Sequence, residues 1–362
     1  MAIWKIDELG EFVTLKREYD LPQQKRKNGE IPIFSSSGVT GTHNEAMVEA
    51  PGVITGRYGT IGEVFFAKTS FWPLNTTLYV ENFHENDEKF VYYFLKTLEW
   101  KKFASASAVP GINRNTVHKE IVRFPDFETQ QKIASVLSTI DKKIAVNKAI
   151  NDNLEQQAAA LFSSLYNRSN TEVRYTDLIQ ILGGGTPKTG ETAYWNGNIA
   201  FFTPKDVGTP YTFITEKTIT EEGLSHCNSR LYPVNTVFVT ARGTVGKVGL
   251  SGIPMAMNQS CYALVGKETH QLLVYFYTLK AVDRLKHKAS GAVFDAITTR
   301  DFDSEQIMKL SDDDAKAFLC VAEPMFQEML NNSIENLRLS TLRDFLLPKL
   351  MSGEIDVSSV QL

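Results

Sequence analysis

The chain has 362 residues, 43% of them hydrophobic, enough to fill two or more cores, which excludes a disordered chain. No apolar run reaches the roughly 18 residues of a membrane span, no basic start leads into an apolar stretch, and Cys227, Cys261 and Cys320 lie far apart, so a cytoplasmic protein without disulfides or structural zinc is expected. The formal charge of -4 argues against a nucleic-acid binder until its distribution is read: residues 311–362 hold 4 Lys+Arg against 9 Asp+Glu, whereas the rest of the chain is close to neutral, so a DNA-binding surface needs local clustering.

In chain order, the first segment of note is IPIFSSSGVTGTHN from Ile31 to Asn44. A glycine loop, ITGRYGTIGEV, follows from Ile54 to Val64 between short β-prone runs, then NTTLYV from Asn75 and FVYYFLKTL from Phe90. Next comes a long amphipathic helix. Its apolar 4-3 stepping runs through Ile133, Leu137, Ile140, Ile144, Asn147, Asn151, Leu154, Ala158, Leu161 and Leu165.

The second half rewrites the first at an offset of about 183 to 185 residues. VTARGTVGKV, Val239 to Val248, returns the glycine loop with one residue deleted after the arginine; NQSCYALV from Asn258 and LVYFYTLK from Leu273 follow in the same order. Adding 185 to the helical seam gives Phe318, Ala322, Met325, Met329, Asn332, Asn336, Leu339, Arg343, Leu346 and Leu350. Asparagines therefore fall in both seams, where they weaken packing but penalise register slips. Antiparallel pairing brings Asn147 near Asn336 and Asn151 near Asn332; the alternative is that each helix packs only on its own globular unit. Arg343 in the seam and Pro324, expected in a first turn or at a kink, are departures.

Taken together, these segments resemble the specificity subunits of type I restriction-modification enzymes over essentially the whole chain. GGTPKTGETAYWNGNIAFFTPKDV from Gly184 is similar to the start of a target recognition domain, RFPDFETQQKIASVLSTIDKKI from Arg123 to the family's central conserved helix, and LRDFLLPKLMSGEI from Leu342 to its C-terminal counterpart. The second helix departs at its start, where SDDDAKAFLCVAEP replaces a proline-then-glutamine opening. The resemblance implies an α+β fold with two similar β-rich target recognition domains, residues 1–127 and 169–310, separated by a pseudo-twofold pair of long antiparallel helices, 128–168 and 311–362. It implies binding to double-stranded DNA at a bipartite site, and assembly with two methyltransferase subunits and with restriction/motor subunits. S-adenosylmethionine, ATP and Mg are expected on those partners only, and no cofactor on this chain.

The glycine loops carry Arg57 and Arg242. Glycines at 59, 62, 243 and 246 suit tight turns, and the arginines reach either DNA or an internal carboxylate. Read as shared by both halves, these arginines fit phosphate positioning or domain structure better than base choice. Base readers are then expected among residues that differ: Lys25, Arg26, Lys27, Ser35, Ser36, Ser37, His43, Asn113 and Arg114 in the first half, and Lys188, Thr189, Lys205, Asp206, Arg230 and Arg300 in the second. Asn75 and Asn258, recurring before apolar strands, present amides. Each of these polar residues has an ordinary reading as a solvated loop position.

No catalytic site is expected. GGGTPKTGE fails as a phosphate loop because Glu191 stands where its lysine belongs, and the chain has no [DNS]PP[YF] tetrapeptide and no GxGxxG opening a helix. On the helices, Lys142, Lys143, Glu155 and Gln156 are read as solvated, and Phe162, Tyr166, Phe345 and Leu347 as partner-docking or domain-packing residues. Three rivals stay open: the recognition subunit of a type II enzyme with a bipartite site, a protein adaptor, and a self-sufficient methyltransferase.

Overall fold

The computed structural model describes residues 3–17, 19–105, 110–208, 210–288 and 295–361. They form two compact units: unit 1 is residues 1–145 with 336–362, and unit 2 is residues 146–335. Among the described residues no helix is long and apolar enough to cross a membrane.

Unit 1 opens with β1 (Trp4–Glu8), α1 (Leu9–Phe12), β2 (Thr14–Lys16), β3 (Ile31–Ser35) and β4 (Gly38–His43). It continues through β5 (Gly52–Gly56), β6 (Val64–Ala67), β7 (Trp72–Pro73) and β8 (Thr77–Asn82). After α2 (Glu88–Thr97), α3 (Arg114–His118) and β9 (Ile121–Pro125), the chain enters the long helix α4 (Phe127–Arg168). Strands pair as β2-β8-β5-β6, as β4-β3-β7 with β3 parallel to β7, and as a β1-β9 ribbon. Asp87 caps α2 by accepting from the Phe90 amide at 2.8 Å, and the helix buries Phe90, Val91, Phe94 and Leu95.

Unit 2 begins with β10 (Thr171–Arg174), α5 (Tyr175–Leu178), β11 (Ile179–Gly183), β12 (Trp195–Phe202) and β13 (Tyr211–Thr212). Then come β14 (Lys217–Ile219), α6 (Glu221–Ser225), β15 (Val237–Thr240), β16 (Val248–Ser251), β17 (Met255–Met257) and β18 (Cys261–Gly266). It ends with α7 (Gln271–Lys288), α8 (Thr299–Ser304), β19 (Gln306–Lys309) and the first part of α9 (Asp312–Ser352), whose remainder belongs to unit 1. Its sheets, β11-β18-β15-β16-β13, β14-β12-β17 and β10-β19, repeat the pairing order of unit 1 with one added edge strand. β15 reads VFVT without polar alternation because both faces are covered. Val237 and Val239 join the core under α7, while Phe238 joins a second cluster with Phe202, Met255 and Met257.

The ends of the long helices run antiparallel within each unit. In unit 2, Asn151 Oδ1 accepts from Asn332 Nδ2 at 3.0 Å, Asn147 Nδ2 donates to Glu335 Oε2 at 2.7 Å, and Arg168 pairs with Asp314 at 2.9 Å. The expected Asn151–Asn332 contact is present. In unit 1, Arg343 bonds Asp141 at 2.8 Å, and Asp141 also accepts from the Tyr93 hydroxyl at 2.6 Å, so the seam arginine has a built counter-charge. Pro324 lies well inside α9 and not in its first turn, which begins at Asp312 after Ser311 Oγ accepts from the Asp314 amide at 3.1 Å. Glu155, expected to be solvated, is half-buried and accepts from the Tyr275 hydroxyl at 3.1 Å. Burial raises its carboxyl above the ordinary value. Phe162 and Tyr166 are core residues, and Leu347 packs on the unit 1 core; Phe345 is 59% exposed.

Asn151 also donates to Met329 O and Ser333 Oγ, both at 3.1 Å, and Asn332 is buried. Asn151→Leu therefore strands the Asn332 amide and is expected to cost about 1–3 kcal/mol, part of which returns in the Asn151→Leu/Asn332→Leu double variant. Denaturant unfolding of the three chains checks this; a double variant no more stable than the single one would contradict it.

Candidate nucleic-acid interface

In unit 1 the loop between β5 and β6 turns on Gly59 and Gly62, whose φ angles are +70° and +87°. Glycine, with no Cβ, adopts these angles at least cost. Trp100 packs against Gly62, where an added Cβ would come 2.9 Å from the tryptophan Cβ. The loop presents Arg57 in a fixed pose. Its Nε donates to Ile112 O at 2.9 Å, its guanidinium lies 4.3 Å from the Tyr58 ring centre, and the Ile112 amide donates back to Arg57 O at 3.2 Å. Ile112 leads into α3, whose N-cap is Asn113, its Oδ1 accepting from the Asn115 amide at 3.0 Å.

Loop, α3 and the end of β2 enclose a cleft of about 490 Å³ that Arg17, Arg57, Tyr58, Asn113, Arg114 and Asn115 help to line. No acidic side chain lines it among the described residues. Burial lowers the Arg57 pKa; Tyr58 works against that shift and the charge of Arg17 works with it. Three cations thus converge on a lining that carries no described carboxylate.

His118 ties the walls together, because its Nε2 accepts from the Leu15 amide at 2.9 Å, joining β2 to α3. Burial first, and Arg114 second, hold the His118 pKa below the ordinary histidine value. With the folded pKa below the unfolded one, the unfolded chain takes up the proton first on acidification. The contribution of His118 is therefore complete above about pH 6.5 and lost as pH falls through the folded value. His118→Gln should narrow its stability gap to the parent chain between pH 8 and pH 5.5 in thermal unfolding; a gap unchanged with pH would refute the linkage.

The other expected residues of unit 1 divide. Lys25 and Lys27 are exposed. Arg26 is tied to Thr40 O at 3.3 Å. Ser35 Oγ bonds Ser37 Oγ at 3.0 Å, shaping the β3-β4 turn, and Ser36 borders the glycine loop, its carbonyl 3.0 Å from where a Gly56 Cβ would sit. His43 is 4% exposed, accepts from the Lys27 amide at 3.0 Å and packs edge-on against Trp72, so it is a framework residue and not a base reader. Asn75 is exposed and bonds Asp20 at 3.1 Å.

In unit 2 the corresponding loop turns on Gly243 and Gly246, φ +82° and +75°. Arg242, Arg230 and Arg300 are exposed, and the Arg242 side chain has no hydrogen bond or ion pair among the described residues. Lys188 and Thr189 lie exposed in the loop after β11, and Lys205 pairs with Glu216 at 3.4 Å. Asp206 is not free to read a base. Its carboxylate accepts from the Thr203 amide at 2.7 Å, the Thr203 hydroxyl at 2.6 Å and the Glu216 amide at 2.8 Å. Asn258 Oδ1 accepts from the Ser260 amide at 3.0 Å, a turn role.

Backbone pairing corrects the repeat by one residue. Arg57 N and Tyr58 N both donate to Thr76 O, whereas Ala241 N and Arg242 N both donate to Ser260 O. Tyr58 bridges Gly111 as Arg242 bridges Ala296, and Ile112 N donates to Arg57 O as Ile297 N donates to Ala241 O. Arg242 thus stands in the place of Tyr58, and Ala241 in that of Arg57. Asn258 likewise takes the place of Leu74, since their amides donate to Phe202 O and Phe34 O. The two arginines are not shared positions, and the loop repeats without a deletion. By the same register Arg17, one past Lys16 opposite Tyr79, matches Gly183, one past Leu182 opposite Ala263. Arg114, the first residue after its cap, matches Thr299. Arg17 and Asn115 escaped the sequence reading because neither lies in a repeated motif.

Residues 1–156 and 167–309 match the family model described as the type I restriction modification DNA specificity domain. The chain is 25% identical over 345 residues to the HindI type I restriction enzyme specificity subunit of Haemophilus influenzae, covering 72% of this chain and 75% of that one. It is 29% identical over 204 residues to the EcoR124I/EcoR124II specificity subunit of Escherichia coli, covering 52% and 50%. The solved type I restriction-modification S subunit from M. genitalium shares the fold, with TM-score 0.65 and 16% identity over 96% of each chain. With the family model matched over both repeats, the chain belongs to the type I restriction modification DNA specificity family.

Proposed function

We propose that this DNA specificity subunit of a type I restriction-modification system reads a bipartite double-stranded DNA site, one part with each unit, and joins two methyltransferase subunits and restriction/motor subunits. One observation carries the reading: two units of the same strand order place different side chains at register-equivalent positions of the same loop, Arg57–Tyr58 in one and Ala241–Arg242 in the other. A repeated scaffold with unlike contact residues suits two readers of unlike sequences. The chain's part is recognition, and catalysis, with its S-adenosylmethionine, ATP and Mg, belongs to the partners in the cytoplasm.

Co-expression with a cognate methyltransferase subunit, followed by genome-wide mapping of methylated adenines, tests this. A split motif with an unread spacer is the expected result; a continuous motif would overturn the two-reader proposal. Binding of the complex to duplex DNA should also fall steeply with salt, which a protein adaptor would not show.

A further inference from the structure

The three arginines of the unit 1 cleft are not repeated at the matching positions of unit 2. In the backbone register, Arg17 becomes Gly183, Arg57 becomes Ala241 and Arg114 becomes Thr299. Unit 2 completes the same sheet order, the same glycine turn and the same capped short helix without these cations. The arginines are therefore not required by the scaffold. Gathering three of them on one concave surface, with no acidic side chain among the described residues of the lining, costs mutual repulsion that a bound anion relieves.

Resting on the reading of the chain as a DNA specificity subunit, we infer that the cleft of unit 1 is a backbone clamp for a DNA phosphodiester, gripped by Arg17 and Arg114. Arg57 is a positioning residue. Its Nε is bound to Ile112 O and its guanidinium lies on the Tyr58 ring, so it holds the loop against the segment that launches α3 and leaves the two exposed arginines facing the ligand. Two arginines on different elements, one after β2 and one opening α3, approach an oxyanion from two directions, as a tetrahedral phosphate accommodates. The cleft anchors unit 1 without choosing its bases; unit 2 carries its arginines, Arg242 and Arg300, at the positions of Tyr58 and Asn115 instead.

The test uses the complex with its methyltransferase subunit. The parent complex must first bind duplex DNA and methylate a motif; if it does neither, the specificity-subunit reading fails and not the clamp alone. Given that it does, Arg17→Gln/Arg114→Gln should weaken binding about tenfold near 0.1 M salt and flatten the log–log salt slope by about 0.9 for each phosphate no longer neutralised. The methylated motif should stay unchanged in both parts. Arg17→Lys/Arg114→Lys should restore most of the slope, because an ammonium serves a phosphate as a point charge but cannot reproduce a bidentate base contact. Both residues are exposed and the parent fold is expected in every variant. An unchanged slope would overturn the clamp. So would a changed base preference in the unit 1 half of the motif, which would make the cleft a guanine-edge reader, or failure of the lysine pair to restore the slope, which would show that the arginines do not act on the phosphate as point charges.

Discussion

Phe162→Ala is expected to cost about 3–5 kcal/mol and to unfold unit 2 under conditions where unit 1 is still folded. Phe162 is 1% exposed on α4. Its ring lies 5.0 Å from Phe276, 5.4 Å from Tyr277 and 5.5 Å from Phe318, so one side chain joins α4, α7 and α9. The surrounding rings are themselves buried, which leaves little room for collapse into the void. Phe345, on the other long helix, is 59% exposed, and Phe345→Ala should change stability by less than about 0.5 kcal/mol. Denaturant titration with probes in each unit measures both. A destabilisation under about 1 kcal/mol at position 162 would mean that the aromatic cluster repacks freely.

The duplication was legible in the sequence because glycine turns and apolar strands are expensive to replace. Gly59, Gly62, Gly243 and Gly246 all take positive φ, as turns built around them require. The helical seam was legible for the same reason, since Ile133, Leu137, Phe318, Ala322 and Met329 repeat at the helical period and are all buried. What failed was the register between halves. Arg57 and Arg242 share a letter and sit beside matching glycines, so aligning them asks for only one deletion; the backbone bonds that place Arg242 opposite Ala296 join residues far apart in sequence.

Polar roles were the least visible part. His43 and Asp206 look like surface readers beside basic and serine-rich stretches, yet each satisfies buried or turning backbone amides. Phe162 and Phe345 are both aromatic and outside the seam, and only the third dimension separates the buried from the exposed one. Arg17 carries no local pattern at all. Its significance appears when β2 is paired with β8 and the equivalent position in unit 2 proves to be glycine.

The glycine loop itself offers the second large effect. An alanine Cβ at Gly56 would stand 2.0 Å from Thr60 O and 3.1 Å from Thr60 C, backbone atoms that cannot swing aside as a side chain would. Gly56→Ala must therefore open the loop that carries Arg57, and the expected cost is about 2–3 kcal/mol in unit 1. The position that matches it in unit 2 is Thr240, wholly buried, whose Oγ1 donates to Thr244 O at 2.5 Å and accepts from the Lys247 amide at 2.9 Å. There the loop is closed by a side chain, and Thr240→Gly should cost about 1–2 kcal/mol through the missing hydrogen bonds and added backbone freedom. Unfolding curves and methylation of each part of the motif read the two variants separately. Gly56→Ala should depress stability and methylation through unit 1, and a Gly56→Ala chain as stable as its parent would show that the loop yields without moving Arg57.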